Sequence, residues 1–491
     1  MSHDVQVPPG TILGHPKGLF LLFITEMWER FSYYGMRALL VLYAVAATHA
    51  ANPGLGWAEP QALTLYAWYT GFVYFTPIFG GWLADNYLGQ RKAVIIGGLV
   101  MAAGQFSLAA PLATFGMTSA FSIPALGIAF PDTPTSFYVG LLLLVIGNGF
   151  FKPNISTMVG DLYPQGDARR DGAFTIFYMG INTGAFLAPL VCSTLGEDPV
   201  YGWRMGFMAA GIGMLLSVVI QLAFSTRFIG NVGVEPAAKR SLKMAGGTRN
   251  PLTSAERDRL RVIFVIFIFV VMFWAAFEQA GGLMNLFAEK YTDRTAGSFT
   301  VPTGWFQSLN PLFIVLLGPF FSMLWSRLGE RGRNPATPVK MYLGLAQVAL
   351  GFIFLVIAVF EMQRAADVRA GMIWLVLGYL FHTTGELCIS PVGLSMVTKL
   401  APLRLGSLMM GVWFLINFVA NTLAGYIGAF SEHMGEYPWM IALAADVGVR
   451  AEHAGLLGVF GGLAALLILF SLVLWAISGR IVQWMHGAEG K

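Results

Sequence analysis

Charge and cysteine are both scarce in this 491-residue chain. Only 30 residues are Lys or Arg and 26 are Asp or Glu, so 11% carry a charge, where a soluble domain carries about 25%. With 56% hydrophobic residues, 14% aromatic residues and a mean hydropathy of +0.65, the chain lacks the polar side chains to cover a surface in water. That shortage excludes a cytosolic enzyme, a nucleic-acid binder and a disordered scaffold. The two cysteines, Cys192 and Cys388, lie in apolar runs and offer neither a disulfide framework nor a metal-ligand spacing. No G-x-x-x-x-G-K-[ST] phosphate loop occurs, which disfavours a nucleotide-driven pump. No HExxH pair, nucleophile elbow or soluble domain supports a membrane-embedded enzyme. Residues Met1 to Pro16 are polar and lead into a charged apolar segment without a small-residue cleavage site, so no removable signal peptide is expected.

What the chain does have is apolar length. Runs of about 20 residues suffice to cross a hydrocarbon core as helices, and twelve are present: 18–45, 62–87, 91–112, 136–163, 171–194, 203–225, 259–282, 302–327, 339–361, 370–400, 406–430 and 455–480. They are too long and too uniformly apolar for barrel strands, so the fold class is an all-α integral membrane protein. Breaks fall at clusters such as Asn52-Pro53-Gly54, Pro131-Asp132-Thr133-Pro134 and Tyr163-Pro164-Gln165-Gly166. Alternate loops sort the basic residues unevenly. One side takes 21 of the 30, including Lys17, Arg91, Lys92, Arg169, Arg170, Arg327, Arg331, Arg333, Lys399 and Arg480, and the other takes Arg204, Lys290, Arg294, Arg364, Arg369 and Arg450. By the positive-inside rule both termini are cytoplasmic, and the net charge of +4 needs no nucleic acid to explain it. The polar stretch 226–258 divides six runs from six. The organisation is therefore an N-terminal segment 1–17, a bundle 18–225, a linker 226–258, a bundle 259–480 and a tail 481–491. Gly89-x-Arg91 and Gly329-x-Arg331 echo each other in the two halves. Two parallel six-helix halves with a site between them near the midplane are the plan of major facilitator transporters.

Seven charges stand out away from the ends of the runs or at a functional motif: Glu26, Glu29, Arg30, Arg37, Lys152, Glu278 and Glu386. Unpaired at the bilayer centre they would cost on the order of 20 kcal/mol in total, so they face a hydrated interior and one another. On a helix, Glu26, Glu29, Arg30, Tyr33, Tyr34 and Arg37 share roughly 140° of circumference. A purely structural i,i+4 ion-pair ladder is the alternative reading of this face. The first half has a local balance of +1 and the second, with Glu278 and Glu386, a balance of −2. A zwitterion fits that field, its carboxylate on the first half and its ammonium on the second. Four carboxylates against three cations leave one acid to carry a proton. Pro153 beside Lys152, Pro311 beside Asn310, Gly281-Gly282 after Glu278 and Pro391 after Glu386 put helix breakers at the polar positions.

The stretch Glu26-Met27-Trp28-Glu29-Arg30-Phe31-Ser32-Tyr33-Tyr34 resembles the E-x-x-E-R-F-x-Y-Y signature of the proton-coupled oligopeptide transporter family. Gly80-Gly81-Trp82-Leu83-Ala84-Asp85 with Gly89-Gln90-Arg91-Lys92 resembles the major facilitator loop after the second helix. Gly149-Phe150-Phe151-Lys152-Pro153-Asn154 and Phe177-Tyr178-Met179-Gly180-Ile181-Asn182-Thr183-Gly184 resemble the family's fourth- and fifth-helix motifs. Phe273-Trp274 with Glu278-Gln279, Gln307-Ser308-Leu309-Asn310-Pro311 and Gly385-Glu386-Leu387 to Ser390-Pro391 resemble those of the second half. The resemblance covers about residues 18–480. It implies a symporter of the cytoplasmic membrane that takes up di- and tripeptides with protons by alternating access, with no cofactor or metal, as a monomer.

The resemblance also implies roles. Arg37 and Lys152 would engage the peptide carboxylate, and Glu386, with Asn182 and Asn310, the amine and backbone. Tyr34, Tyr74 and Tyr178 would line the cavity, with Trp274, Phe277, Ser390 and Trp413 at its second-half wall. Arg37 with Glu278 would close the outer gate and Lys152 with Glu386 the inner one. Glu26, Glu29, Arg30 and Lys152 would couple proton movement. Asp85 with Arg91 reads as a structural clamp, and His382 as a packed histidine, with a proton relay or a weak metal ligand as the alternatives. Two departures stand out: no histidine lies on the second run, and 226–258 is too short and polar for an inserted helix pair. A carrier of nitrate or another organic anion within the family would not need Glu386 or an intact E-x-x-E-R set. A peptide sensor without transport is the remaining alternative.

Overall fold

The computed structural model describes residues 10–110, 117–123, 128–164, 167, 169–236, 252–365, 368–402 and 405–487. Every apolar run falls on helix: α1 Lys17–Val45, α2 Glu59–Leu83, α3 Gln90–Ala109, α4 Thr135–Asp161, α5 Arg169–Gly196, α6 Gly202–Ile229, α7 Ser254–Phe277, α8 Leu283–Tyr291, α9 Leu309–Glu330, α10 Thr337–Glu361, α11 Met372–Leu400, α12 Gly406–Glu436, α13 Pro438–Asp446 and α14 Ala454–Trp484. Among the described residues ten helical segments are long and apolar enough to cross a membrane. Helix α1 is not among them because Glu26, Glu29, Arg30 and Arg37 interrupt it. Helix α2 is not because Trp68, Tyr69, Thr70, Tyr74 and Thr76 make it less apolar.

The chain divides into two compact units, residues 1–57 with 72–248, and 58–71 with 249–491. The boundary within α2 falls at Gly71 and Phe72, so the first half of that helix packs with the second unit. In the first unit α1 packs on α5 and α6, and α3 on α4 and α6. In the second unit α7 packs on α12 and α14, and α10 on α11 and α14. Both units thus pair the first helix with the fifth and sixth, and the third with the fourth and sixth. This gives the weak sequence echo a structural counterpart. Leu19, Leu22, Met36, Leu39 and Leu40 are buried in the first unit and Phe273, Phe287, Phe352 and Phe460 in the second.

Local chemistry sets the element ends. Thr253 Oγ1 accepts from the Glu256 amide (3.2 Å) while the Thr253 amide donates to Glu256 (2.8 Å), a reciprocal cap that starts α7. Helix α7 stops at Phe277, Glu278–Gly281 form a 3-10 turn, and Gly282 (φ −113°, ψ −100°) restarts the chain as α8. The Gly281-Gly282 break expected beside Glu278 is therefore present. Helix α2 ends in a π-helical turn, Ala84–Leu88, and α9 is preceded by a 3-10 turn, Thr303–Ser308. Pro153 lies inside a continuous α4. It leaves the Gly149 carbonyl without its helical donor, and that carbonyl lies where a Cβ on Gly80 would be.

The loops between these helices carry short paired strands. Strands β1 Thr11–Ile12 and β2 His15–Pro16 form a small hairpin, and β3 Thr118–Ile123 pairs with β4 Ile128–Pro134. Four two-residue strands, β5 Thr292–Asp293, β6 Thr295–Ala296, β7 Phe299–Thr300 and β8 Ala370–Gly371, pair in other loops. Phe130 stacks on Trp57 (5.8 Å), and Trp57 Nε1 donates to Thr133 (3.2 Å), so aromatic burial fixes the longer hairpin. The first hairpin is tied to the end of α4. His15 Nδ1 bonds Tyr163 Oη (2.8 Å), and Arg169 donates to the Gly14 carbonyl (2.9 Å). Arg169 also bonds Asp167 and pulls its carboxyl down to about 2, so this contact stays ionised at any ordinary pH. Most of the expected linker, 237–251, lies outside the described residues, as do Gln165, Gly166, Arg404 and Lys491.

The approach of α5 to α1 depends on Gly180 and Gly184. A Cβ on Gly184 would strike the Met27 carbonyl and come within 3.0 Å of Arg30 Cβ. Gly184→Val is expected to destabilise the first unit by about 1–3 kcal/mol. Thermal unfolding in detergent checks this, and an unchanged midpoint contradicts it.

Candidate functional site

The first unit collects the charged face of α1. Glu26, Glu29, Arg30 and Arg37 are all buried. Arg30 Nε bonds Glu26 Oε1 at 3.0 Å and also Glu29 Oε2. The structural ladder weighed from the sequence therefore exists, but it is not confined to α1. Asn148 of α4 donates to Glu29 Oε1 (3.2 Å), and the Lys152 charge acts on both carboxylates. One turn of α4 thus presents Asn148 and Lys152 on the same side. Above this cluster the aromatics hold the cations. The Arg37 guanidinium lies 5.6 Å from the Tyr34 ring, and the Lys152 ammonium 3.8 Å from that of Tyr74. Tyr178 is exposed, and Asn182 Nδ2 donates to its carbonyl (2.9 Å). Two cations, each against a tyrosine ring, give this half the chemistry to attract an anionic group.

The second unit supplies an acidic pole. Glu386 of α11 is buried, and its Oε2 accepts from Asn310 Nδ2 at 2.8 Å; the same amide also contacts Thr383 Oγ1 (3.1 Å). Thr383 in turn donates to the Tyr379 carbonyl (2.7 Å). Pro311 in the first turn of α9 lets Asn310 sit at the helix start, so the side chain is free to turn toward α11. Ser390 follows Glu386 by one turn and is half-buried. Trp274 and Phe277 pack edge to face (5.2 Å), and Trp274 Nε1 is buried with no hydrogen-bond partner among the described residues. Trp413 lies 6.0 Å from Phe267. Glu278 is buried in the 3-10 turn that ends α7. That turn is held by Gln279, which donates to the Ala275 and Ala424 carbonyls (3.0 and 2.7 Å), and by Tyr379 Oη, which donates to Ala280 (3.2 Å).

Each unit therefore brings its own candidates together. Glu26, Glu29, Arg30, Tyr34, Arg37, Tyr74, Lys152, Tyr178 and Asn182 belong to the first unit. Trp274, Phe277, Glu278, Asn310, Glu386, Ser390 and Trp413 belong to the second. His382 is packed between Phe352 (4.7 Å) and Phe277 (6.2 Å). Arg91 bonds the Gly230 carbonyl and Asp85 accepts from Gln90 (3.1 Å), a brace at the end of α2. Among the described residues no group of three His, Cys, Asp or Glu could hold a metal ion. In the sequence Gln279 has no assigned role, and Asn148, Asn417 and Asn421 are not singled out. The last two are buried and bond the Trp413 and Asn417 carbonyls at 2.8 and 2.9 Å. An amide in an otherwise apolar run was the available signal.

Similarity to known proteins extends over most of the chain. A family model described as POT family matches residues 91–243 and 235–440. The peptide transporter YePEPT of Yersinia enterocolitica is 36% identical over 484 residues, covering 87% of this chain and 90% of the relative. A di-/tripeptide transporter of Lactococcus lactis is 35% identical over 472 residues, covering 85% and 90%. A crystal structure of the peptide transporter POT in complex with sulfate matches with a TM-score of 0.81 and 35% identity, covering 98% of both chains.

Proposed function

The chain belongs to the POT family of transporters, and from that premise we propose that it takes up di- and tripeptides across the cytoplasmic membrane together with protons. It does so by alternating access of two six-helix bundles, 18–225 and 259–480, joined by the linker 226–258. The twelve apolar runs support twelve membrane-spanning helices, and the loop distribution of Lys and Arg supports both termini in the cytoplasm. The N-terminal segment 1–17 and the tail 481–491 then lie on the cytoplasmic side.

The observation that carries this reading is the separation of poles. The first unit offers Arg37 and Lys152, each over a tyrosine ring, and the second offers Glu386 bonded to Asn310. A peptide carboxylate binds Arg37 and Lys152, and its ammonium binds Glu386. Asn182, Asn310 and Ser390 take the backbone, while Tyr34, Tyr74, Tyr178, Trp274, Phe277 and Trp413 line the space around the side chains. Arg37 with Glu278 closes the outer gate, and Lys152 with Glu386 the inner one. Glu26, Glu29, Arg30 and Lys152 link protonation to this exchange of partners, so proton and peptide bias one bistable packing. The proton gradient is the driving force, no cofactor takes part, and the monomer is the working unit.

Competition in proteoliposomes tests the substrate class. Uptake of labelled dialanine is expected to be suppressed by excess tripeptide and left intact by free amino acids or nitrate. Suppression by nitrate instead points to an anion carrier. Binding without net uptake points to a sensor.

A further inference from the structure

Glu26, Glu29, Arg30 and Asn148 form one buried cluster, each 4% exposed or less. Its hydrogen bonds nearly close. Glu29 accepts from Arg30 at one oxygen and from Asn148 at the other. Glu26 Oε1 takes the remaining link to Arg30 (3.0 Å). Three atoms are left with no hydrogen-bond partner among the described residues: Glu26 Oε2, Asn148 Oδ1 and Arg30 Nη2. Two are acceptors and one is a donor. Buried polar atoms are rarely abandoned, and the sign of each neighbour limits what can serve them. A metal cation would meet the Arg30 guanidinium, and an anion would meet both carboxylates. Only a neutral group with two donors and one acceptor answers all three, and a buried water typically makes about three such bonds.

We propose that this cluster binds a single water molecule, which donates to Glu26 Oε2 and Asn148 Oδ1 and accepts from Arg30 Nη2. Asn148 is then a positioning residue: its amide nitrogen fixes Glu29 and its oxygen fixes the water. The inference rests on the coupling role proposed for Glu26 and Glu29 and gives it an atomic step. A hydronium that reaches the cluster passes a proton to the free lone pair of the water. The water releases one of its own protons to Glu26 Oε2, and the site returns to a neutral water beside a neutral Glu26. Other groups facing the cluster are the Lys152 ammonium, which acts on both carboxylates, and the rings of Tyr33 and Tyr34 beside Arg30. Asn148 precedes Lys152 by one helical turn, so a single stretch of α4 carries both.

The direct test is a crystal structure of the full chain at a resolution where ordered waters are visible. Density is expected within hydrogen-bond distance of Glu26, Arg30 and Asn148, and its absence there overturns the proposal whatever the transport data show. The functional test compares Asn148→Leu and Asn148→Ser with the wild type, each first shown to be monodisperse. In Asn148→Leu, dialanine uptake driven by an imposed pH gradient is expected to fall about tenfold further than exchange between equilibrated compartments, as loss of a bond to a charged group would give. Its pH profile shifts, and Asn148→Ser lies between the two. A wild-type rate and pH profile in Asn148→Leu overturns the proposal. Failure of the wild type itself to transport dialanine would instead overturn the peptide-uptake reading, while the density at Glu26 still decides the water.

Discussion

Glu386→Gln is expected to abolish peptide uptake while leaving the fold intact. The substitution keeps the side-chain volume, and the Asn310 amide can still bond the new side-chain carbonyl, as it bonds Glu386 Oε2 now. What is lost is the charge proposed to face the peptide ammonium. A hydrogen bond to a charged group contributes about 1.5–3 kcal/mol, so affinity for dialanine should fall roughly ten- to a hundredfold. The proposed inner gate loses its acid as well, which is expected to remove turnover beyond the loss of affinity. Arg37→Ala removes the opposite pole and the guanidinium over Tyr34, with the same expected outcome. Binding and uptake of dialanine in the two variants measure this. Near-native affinity in both would sink the two-pole assignment.

Glu26→Gln and Glu29→Gln should separate transport from coupling. Either change leaves Arg30 with one charged partner in place of two, and breaking a buried pair commonly costs about 3–5 kcal/mol of stability. Both variants are therefore expected to unfold at lower temperature than the wild type. Neither residue lies at the poles assigned to peptide. Uptake driven by a pH gradient should be lost, while some exchange of labelled for unlabelled peptide between equilibrated compartments persists. Unchanged gradient-driven accumulation removes the pair from the proton path.

Much of this architecture was legible because bilayer crossing is demanding. Long apolar runs mark helices almost by themselves, as 18–45 does for Lys17–Val45 and 339–361 for Thr337–Glu361. Charges inside such runs are costly enough to be noticed, so Glu29, Arg37 and Glu386 stood out, and all three are buried. Neutral amides were harder to see. Asn148 barely alters the hydropathy of α4, yet its side-chain amide bonds Glu29. The same holds for Gln279, whose bond to the Ala424 carbonyl fixes the broken end of α7. Hairpin β3–β4 was hidden for another reason. Its strands are short and lie between membrane runs, and their pairing depends on the distant Trp57. The division of α2 between two units is not legible at all, since both halves are similarly apolar and only their packing partners differ.

The central claim is that a proton gradient drives a zwitterionic peptide through this chain. It is tested most directly by accumulation of labelled dialanine in proteoliposomes under an imposed inward proton gradient, with and without a protonophore. The account predicts accumulation above the external concentration that collapses when the protonophore is added. Equilibration to the external level alone, indifferent to the protonophore, would contradict it.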